Sequence, residues 1–370
     1  MHSKTPLQST DGERLEMLRL ARSESVGPVT FRQLIGRFGT AAEAIGALPE
    51  LARRGGRHRP LRICTRDEAE RERDALATFG GSHLFPGESA YPDTLAAIDD
   101  APTVLSAAGA VALLNREAVA IVGARNASAA ACRFARMLAQ GLGAAGQAVV
   151  SGLARGIDSA AHDGALETGT IAVIAGGIDV AYPPENEERQ EAIAARGLLV
   201  AEQPPGVEPR ARHFPYRNRI IAGLAAGTVV VEAAPKSGSL ITARHAAEYG
   251  REVMAVPGSP LDPRAQGCNL LIREGATLVQ TAEDVIEALS PIHPRPFRQP
   301  KRPYAAPETA ADADEATRRT VTDLLGPTPV PVDELVRQAG RSPAEVQTVL
   351  LELELAGRLE RHAGGRVSLA

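Results

Sequence analysis

Between Ala118 and Val256 the chain repeats one pattern: a short continuous apolar run, a turn carrying glycine or other small residues, and a stretch of helical periodicity. The runs are Ala118–Val122, Gln147–Ser151, Thr170–Ala175, Leu198–Ala201, Thr228–Glu232 and Glu252–Val256. A strand with no polar alternation must be covered on both faces, and helices between successive strands supply that cover. The pattern therefore predicts an α/β domain with a parallel sheet between two helical layers.

At 370 residues with 44% hydrophobic content the chain is long enough for two or three domains. Ahead of the strand series, Leu15, Leu18, Val26, Phe31, Leu34, Phe38, Ile45 and Leu48 recur at helical spacing. A small helical domain is expected over residues 1–81, and a connector over 82–116. The α/β domain then spans 117–290. Pro291, Pro294, Pro296, Pro300, Pro303 and Pro307 mark a linker over 291–314. The last segment, 315–370, reads as three helices followed by a hairpin, which is the winged-helix pattern.

Several classes of chemistry are argued against. The first twenty residues are charged and polar, and no stretch reaches the roughly 20 apolar residues that span a bilayer, so a cytoplasmic protein without a membrane partner is expected. Cys64, Cys132 and Cys268 are scattered, without disulfide or zinc spacing. No G-x-G-x-x-G follows the first strand and no Walker loop occurs, so no nucleotide cofactor is expected, and with no Cys/His cluster at metal spacing no metal is expected either. The formal net charge is −4, so a nucleic-acid site would be a local concentration of arginine rather than a global field.

In an open parallel sheet ligands bind outside the carboxyl ends of the strands. Here those ends carry Gly123-Ala-Arg125, then Ser151-Gly152-Leu-Ala-Arg155-Gly156, then Gly176-Gly177. Glycine lets a phosphate approach backbone N–H groups, and a nearby guanidinium clamps it; ordinary turn glycine is the plainer alternative. The segment from Pro209 to Arg219 carries Arg210, Arg212, Arg217 and Arg219 with Phe214 and Tyr216 between them and Asn218 alongside. Arginines for phosphates and aromatic rings for bases are the ingredients of a single-strand site. Lys236, Ser237, Gly238 and Ser239 follow a later strand; Ser239 also reads as a helix N-cap. Asp158 and His162 stand four apart on one helix, and a helix-terminal carboxylate followed by a packed imidazole explains them better than acid–base catalysis.

The run from Ser151 to Asn186, SGLARGIDSAAHDGALETGTIAVIAGGIDVAYPPEN, resembles the signature of the DNA-processing protein A family. So do HFPYRNRIIAGL at His213–Leu224, the stretch Val229–Gly258, and GCNLLIREGA at Gly267–Ala276. The resemblance implies an extended Rossmann-type domain, flanked by a sterile-alpha-motif-like helical domain and a winged helix. It implies a non-enzymatic protein that binds single-stranded DNA, dimerises through the Rossmann-like domain, and loads RecA recombinase during natural transformation and recombination. It places the DNA pocket on Gly123, Arg125, Arg212, Phe214, Arg217, Asn218 and Arg219, with Lys236 beside them. Two alternatives stay open. One is a nucleotide-binding enzyme of the phosphoribohydrolase type, although the Lys236–Thr242 stretch has no glutamate for that chemistry. The other is a winged-helix transcription regulator, although the helix near Ser342–Ala356 carries Glu345, Glu352 and Glu354 and no Lys or Arg.

Overall fold

The computed structural model describes residues 9–290, 312–362 and 364–370. The expected Pro-rich linker lies outside them apart from its last three residues. The chain divides into two compact units, one built from residues 9–70 with the C-terminal segment and one from residues 71–290.

Three helices open the chain: α1 (Asp11–Ala21), α2 (Pro28–Phe38) and α3 (Ala41–Arg54). Thr10 and Glu13 close a reciprocal capping box at α1, and Thr40 caps α3. Leu20, Phe31, Leu34, Ile45, Leu48 and Leu51 form their common core. A fourth helix, α4 (Arg66–Thr78), leads into the sheet.

The sheet has nine strands: β1 (Gly81–Leu84), β2 (Leu105–Gly109), β3 (Ala118–Gly123), β4 (Ala148–Ser151), β5 (Thr170–Ile174), β6 (Leu198–Ala201), β7 (Gly227–Val231), β8 (Glu252–Ala255) and β9 (Thr277–Leu278). Their order is β1-β2-β6-β5-β4-β3-β7-β8-β9. The strands from β6 to β9 in that order pair in parallel, as the apolar runs predict. The connector expected at 82–116 is instead part of the sheet. Its β2 pairs antiparallel with both β1 and β6 and so seals one edge. The sequence of β2, Leu-Ser-Ala-Ala-Gly, has no β-branched residue, which is why it carries no strand signal.

The helices of this unit are α5 (Asp93–Ala96), α6 (Ala129–Ala144), α7 (Ile157–Ala165), α8 (Glu187–Arg196), α9 (His213–Leu224), α10 (Ser239–Glu248), α11 (Gln266–Arg273) and α12 (Ala282–Leu289). Alternate residues of β3 divide between the two layers. Val119 and Ile121 pack with α6, α7 and α12, while Ala120 and Val122 pack with α5, α9, α10 and α11. After β6 the chain returns across β5, β4 and β3 to lay β7 on the far side of β3. Helix α9 lies within that return and begins over the carboxyl ends of the strands.

The C-terminal segment contains α13 (Glu315–Asp323), β10 (Val330–Pro331), α14 (Val332–Ala339), α15 (Pro343–Leu355), β11 (Leu359–His362) and β12 (Arg366–Leu369), with strand order β10-β12-β11. This is the expected winged helix. Helix α15 is covered on two sides. Val346, Val349, Leu350 and Leu353 fill the winged-helix core, while Leu351 and Leu355 complete the core of α1–α3. Gly55 permits this approach, because a Cβ there would overlap the carbonyl oxygen of Glu352. Glu352 is 1% exposed, and its carboxylate accepts from Arg318 Nε and Nη2 at 2.8 and 2.9 Å. Among the described residues no helix is long and apolar enough to cross a membrane.

Candidate nucleic-acid interface

A cleft opens over the carboxyl ends of β4 and β5, beneath the start of α9. Its walls come from Arg125 after β3, the 152–155 loop after β4, Ile174–Gly176 at the end of β5, Tyr182 and Pro183, and Pro209, Phe214 and Arg217. Of the residues singled out from sequence, Arg125, Gly152, Arg155, Phe214 and Arg217 meet here. Phe214 is the hub. The guanidinium carbons of Arg125 and Arg217 lie 5.0 and 6.0 Å from its ring centroid, and Tyr182 packs tilted against it at 5.6 Å. Arginine stacked on a ring keeps its N–H edge free for phosphate.

Arg217 is the floor of the cleft, at 6% exposure. Its Nη1 donates to the carbonyl oxygens of Gly152 and, at 2.7 Å, of Val173, and its Nε donates to Asn218 Oδ1 at 3.2 Å. Among the described residues Nη2 has no hydrogen bond. Burial pushes the Arg217 pKa down to about 10, with the nearby Asp158 carboxylate opposing the shift, so the group is charged at neutral pH. A Cβ on residue 152 would overlap the Arg217 guanidinium, so any side chain there would displace that group from its present position.

The 152–154 loop differs from the expected phosphate cradle. Gly152 N and Ala154 N both donate to Asp158 Oδ2, at 3.2 and 3.3 Å, and Leu153 N donates to His162 Nε2 at 3.3 Å. The carbonyls are used as well: Gly152 O by Arg217, Leu153 O by Asn186 Nδ2 at 2.8 Å, and Ala154 O by Ser159 Oγ at 2.7 Å. His162 Nε2 can accept only if Nδ1 carries the proton, which points at Thr170 Oγ1, 2.7 Å away. Burial drives the His162 pKa down to about 3, in keeping with a neutral ring. The expectation of a helix-terminal carboxylate and a packed histidine is met.

The N-terminus of α6 is filled from within too. Glu232, with φ +52°, accepts from Ser128 N at 2.8 Å and from Ser128 Oγ at 2.6 Å, and its carbonyl takes Ala124 N at 2.8 Å. Carboxylates of the chain thus stand at both helix starts where this fold class offers N–H groups to phosphate. Gly123 serves packing, since a Cβ would strike the Val231 carbonyl, and Gly156 has φ +76° and abuts the Ala124 carbonyl.

Other sequence-derived candidates fall elsewhere. Ser151 is buried, and its hydroxyl donates to Ile121 O at 2.6 Å, so it joins strands rather than reaching a ligand. Arg219 does not face the cleft: at 4% exposure it donates to Glu202 Oε1 and to Asp100 O, both at 2.6 Å. Asn218 bridges Arg217 and the Gly238 carbonyl, the latter at 3.2 Å. The N-cap of α10 is Gly238, and Ser239 is the first helical residue, its hydroxyl 2.7 Å from Ser237 Oγ. Lys236 is exposed on that loop and does not line the cleft. Arg210 and Arg212 are exposed just ahead of α9. Their charge is felt at His213, whose pKa is lowered first by burial and then by these two arginines; its Nδ1 accepts from Arg210 N at 3.3 Å. Tyr182, Asn186 and Glu232 were not singled out from sequence. An aromatic residue just beyond Gly176-Gly177 was the available signal for Tyr182.

Comparison with known proteins gives one consistent result. The DNA recombination-mediator protein A model matches residues 82–290, a DprA-like N-terminal HHH domain matches 11–75, and a DprA winged helix domain matches 305–365. The chain is 39% identical to protein Smf of Escherichia coli, over 78% of this chain and 77% of that one. It is 47% identical to the DNA processing protein DprA of Streptococcus pneumoniae, over 54% of this chain and 71% of that one. The X-ray structure of the Streptococcus pneumoniae protein superimposes with a TM-score of 0.63 at 36% identity, covering 75% of this chain and 98% of that one. A Helicobacter pylori DNA processing protein A, described for its single-stranded DNA binding mode, superimposes with a TM-score of 0.52 at 30% identity, covering 56% of this chain and 95% of that one.

Proposed function

The chain belongs to the DNA recombination-mediator protein A family, and from that premise we propose that its cleft holds single-stranded DNA without catalysing a reaction. The observation that carries this is the convergence of Arg125, Arg155 and Arg217 around Phe214 and Tyr182. Guanidinium groups take the phosphates and the rings stack a base, so sequence preference is slight. The binding mode described for the Helicobacter pylori relative supports the same ligand class.

The phosphoribohydrolase alternative is not favoured, because among the described residues no acid lines the cleft: Asp158 and Glu232 are committed to backbone N–H groups, and Glu185 stands 3.8 Å from the Arg155 guanidinium. The regulator alternative would need α15 in a groove, and that helix is buried on two sides. We place the protein in the cytoplasm as a homodimer that delivers strands to RecA recombinase during transformation and recombination.

The test is a titration of labelled oligo(dT) and of matching duplex with the full chain. Tighter single-strand binding supports the reading, and equal affinity for duplex overturns it. Stimulation of RecA filament formation on protein-coated strand tests the delivery step.

A further inference from the structure

Leu153 holds φ +54°, a backbone region that residues with a Cβ avoid. Such a conformation persists only when its surroundings over-determine it. Here they do. Asp158 and His162 take the three N–H groups of residues 152–154, and Asn186, Arg217 and Ser159 take the three carbonyls. The loop has two outputs at the cleft. The Gly152 carbonyl fixes Arg217 Nη1, and Arg155 follows directly on Ala154.

We propose that His162 and Asn186 are positioning residues for strand binding: neither lines the cleft, and both act by pinning Leu153 so that Arg155 and Arg217 are presented together. His162 does this from helix α7. Its ring is locked by Thr170 Oγ1 at 2.7 Å, which in turn donates to Val149 O at 3.2 Å. The pin is therefore anchored in the sheet. Asn186 does it from the start of α8, its Oδ1 taking Arg189 Nη1 at 2.5 Å while its Nδ2 reaches Leu153 O. Without the acceptor at 162, the Leu153 N–H is buried and unpaired, and the loop relaxes toward ordinary φ. The inference rests on the strand-binding reading of the cleft.

The experiment uses the full chain and labelled oligo(dT) across a salt series, with hydrogen–deuterium exchange of the segment containing Leu153. His162→Gln keeps an acceptor and should bind within about twofold of wild type with the segment protected. His162→Leu fills the space without an acceptor; the segment should exchange faster and affinity should fall about tenfold. Its log–log salt slope should drop by about 0.7, the share of one phosphate contact on a single strand. A folded His162→Leu protein with faster exchange but wild-type affinity and slope overturns the inference. Should His162→Leu not fold, Asn186→Ala carries the same test, with an expected loss of about threefold to fivefold; wild-type binding there overturns it equally. Absence of strand binding by the wild-type protein defeats the strand reading and this inference together. Wild-type binding with unaffected variants defeats the inference alone.

Discussion

The guanidinium carbon of Arg125 stands 5.0 Å from the centroid of the Phe214 ring. The two residues come from opposite halves of the strand order, the loop after β3 and the start of α9, and meet only because the chain returns across the sheet. Their contact sets how the cleft divides its work between charge and stacking.

Arg125 is exposed and free to meet phosphate, so Arg125→Ala should lower the log–log salt slope of strand binding by about 0.7 and weaken all sequences alike. Phe214→Leu should act differently. It keeps bulk beneath Arg125 but loses the stacking surface, at about 1–3 kcal/mol, with the slope nearly unchanged. Anisotropy titrations at several salt concentrations separate the two. Equal slopes for wild type and Arg125→Ala would move the phosphate path elsewhere.

Tyr182 is 43% exposed with its ring against Phe214. Tyr182→Ala should weaken oligo(dT) binding by about 1–2 kcal/mol through lost stacking and leave the salt slope alone. Little change in thermal stability is expected, because the residue is exposed and outside the packed core. Wild-type affinity in this variant would leave Phe214 as the stacking surface without Tyr182.

Arg219 was read from sequence as a strand contact, and the structure reverses that. Arg219→Ala removes the buried guanidinium that pairs with Glu202 and donates to Asp100 O. A loss of about 2–4 kcal/mol in stability is expected, with the salt slope of the folded protein unchanged. Denaturant titration reads the first and the binding series the second. A lowered slope would return Arg219 to the strand site.

These outcomes show where legibility ended. Strands β3 to β8 were readable because each is a continuous apolar run, whereas β2 hid behind alanine and serine. The arginine cluster was readable as charge. Its division was not: Arg217 turns to the carbonyls of Gly152 and Val173, and Arg219 to acids at positions 100 and 202. Partners that far away in sequence leave no local trace. The turn at Gly152 suggested a phosphate cradle because glycine permits one, but the N–H groups of residues 152–154 are claimed by Asp158 and His162.

The buried His162 carries a pH dependence whose sign follows from its neutrality. Its pKa is lowered from the usual 6.5 to about 3, chiefly by burial. Below pH 6.5 the unfolded chain takes up a proton that the folded chain refuses. The contribution of this group is thus fully present above that pH and is lost as pH falls toward 3, at about 1.4 kcal/mol per pH unit. Between pH 7 and pH 5 the wild-type protein should lose about 2 kcal/mol more stability than His162→Gln. Urea titrations followed on the α/β unit at both pH values measure the difference; equal losses would mean the ring takes up its proton without unfolding.

The packing of α15 gives the last prediction. Leu351 and Leu355 belong to the core of α1–α3, and Gly55 lets the α3 terminus approach the backbone of Glu352. A methyl group at position 55 would overlap the Glu352 carbonyl oxygen and approach Ala356 Cβ at 2.9 Å, so Gly55→Ala must push the helices apart. Separation would uncover Leu351 and Leu355, at about 1.5–3 kcal/mol for each leucine fully exposed. The variant should therefore show faster proteolysis within residues 9–70 and 312–370. Strand affinity should stay within about twofold, because the cleft is built wholly from residues 125–217 of the other unit. Truncation after Ser290 should likewise keep strand binding while leaving α1–α3 open to protease, since it removes the two leucines outright. Limited proteolysis with mass spectrometry, beside the oligo(dT) titration, reads both halves. A Gly55→Ala protein as resistant as wild type would mean that α3 and α15 do not depend on each other in solution.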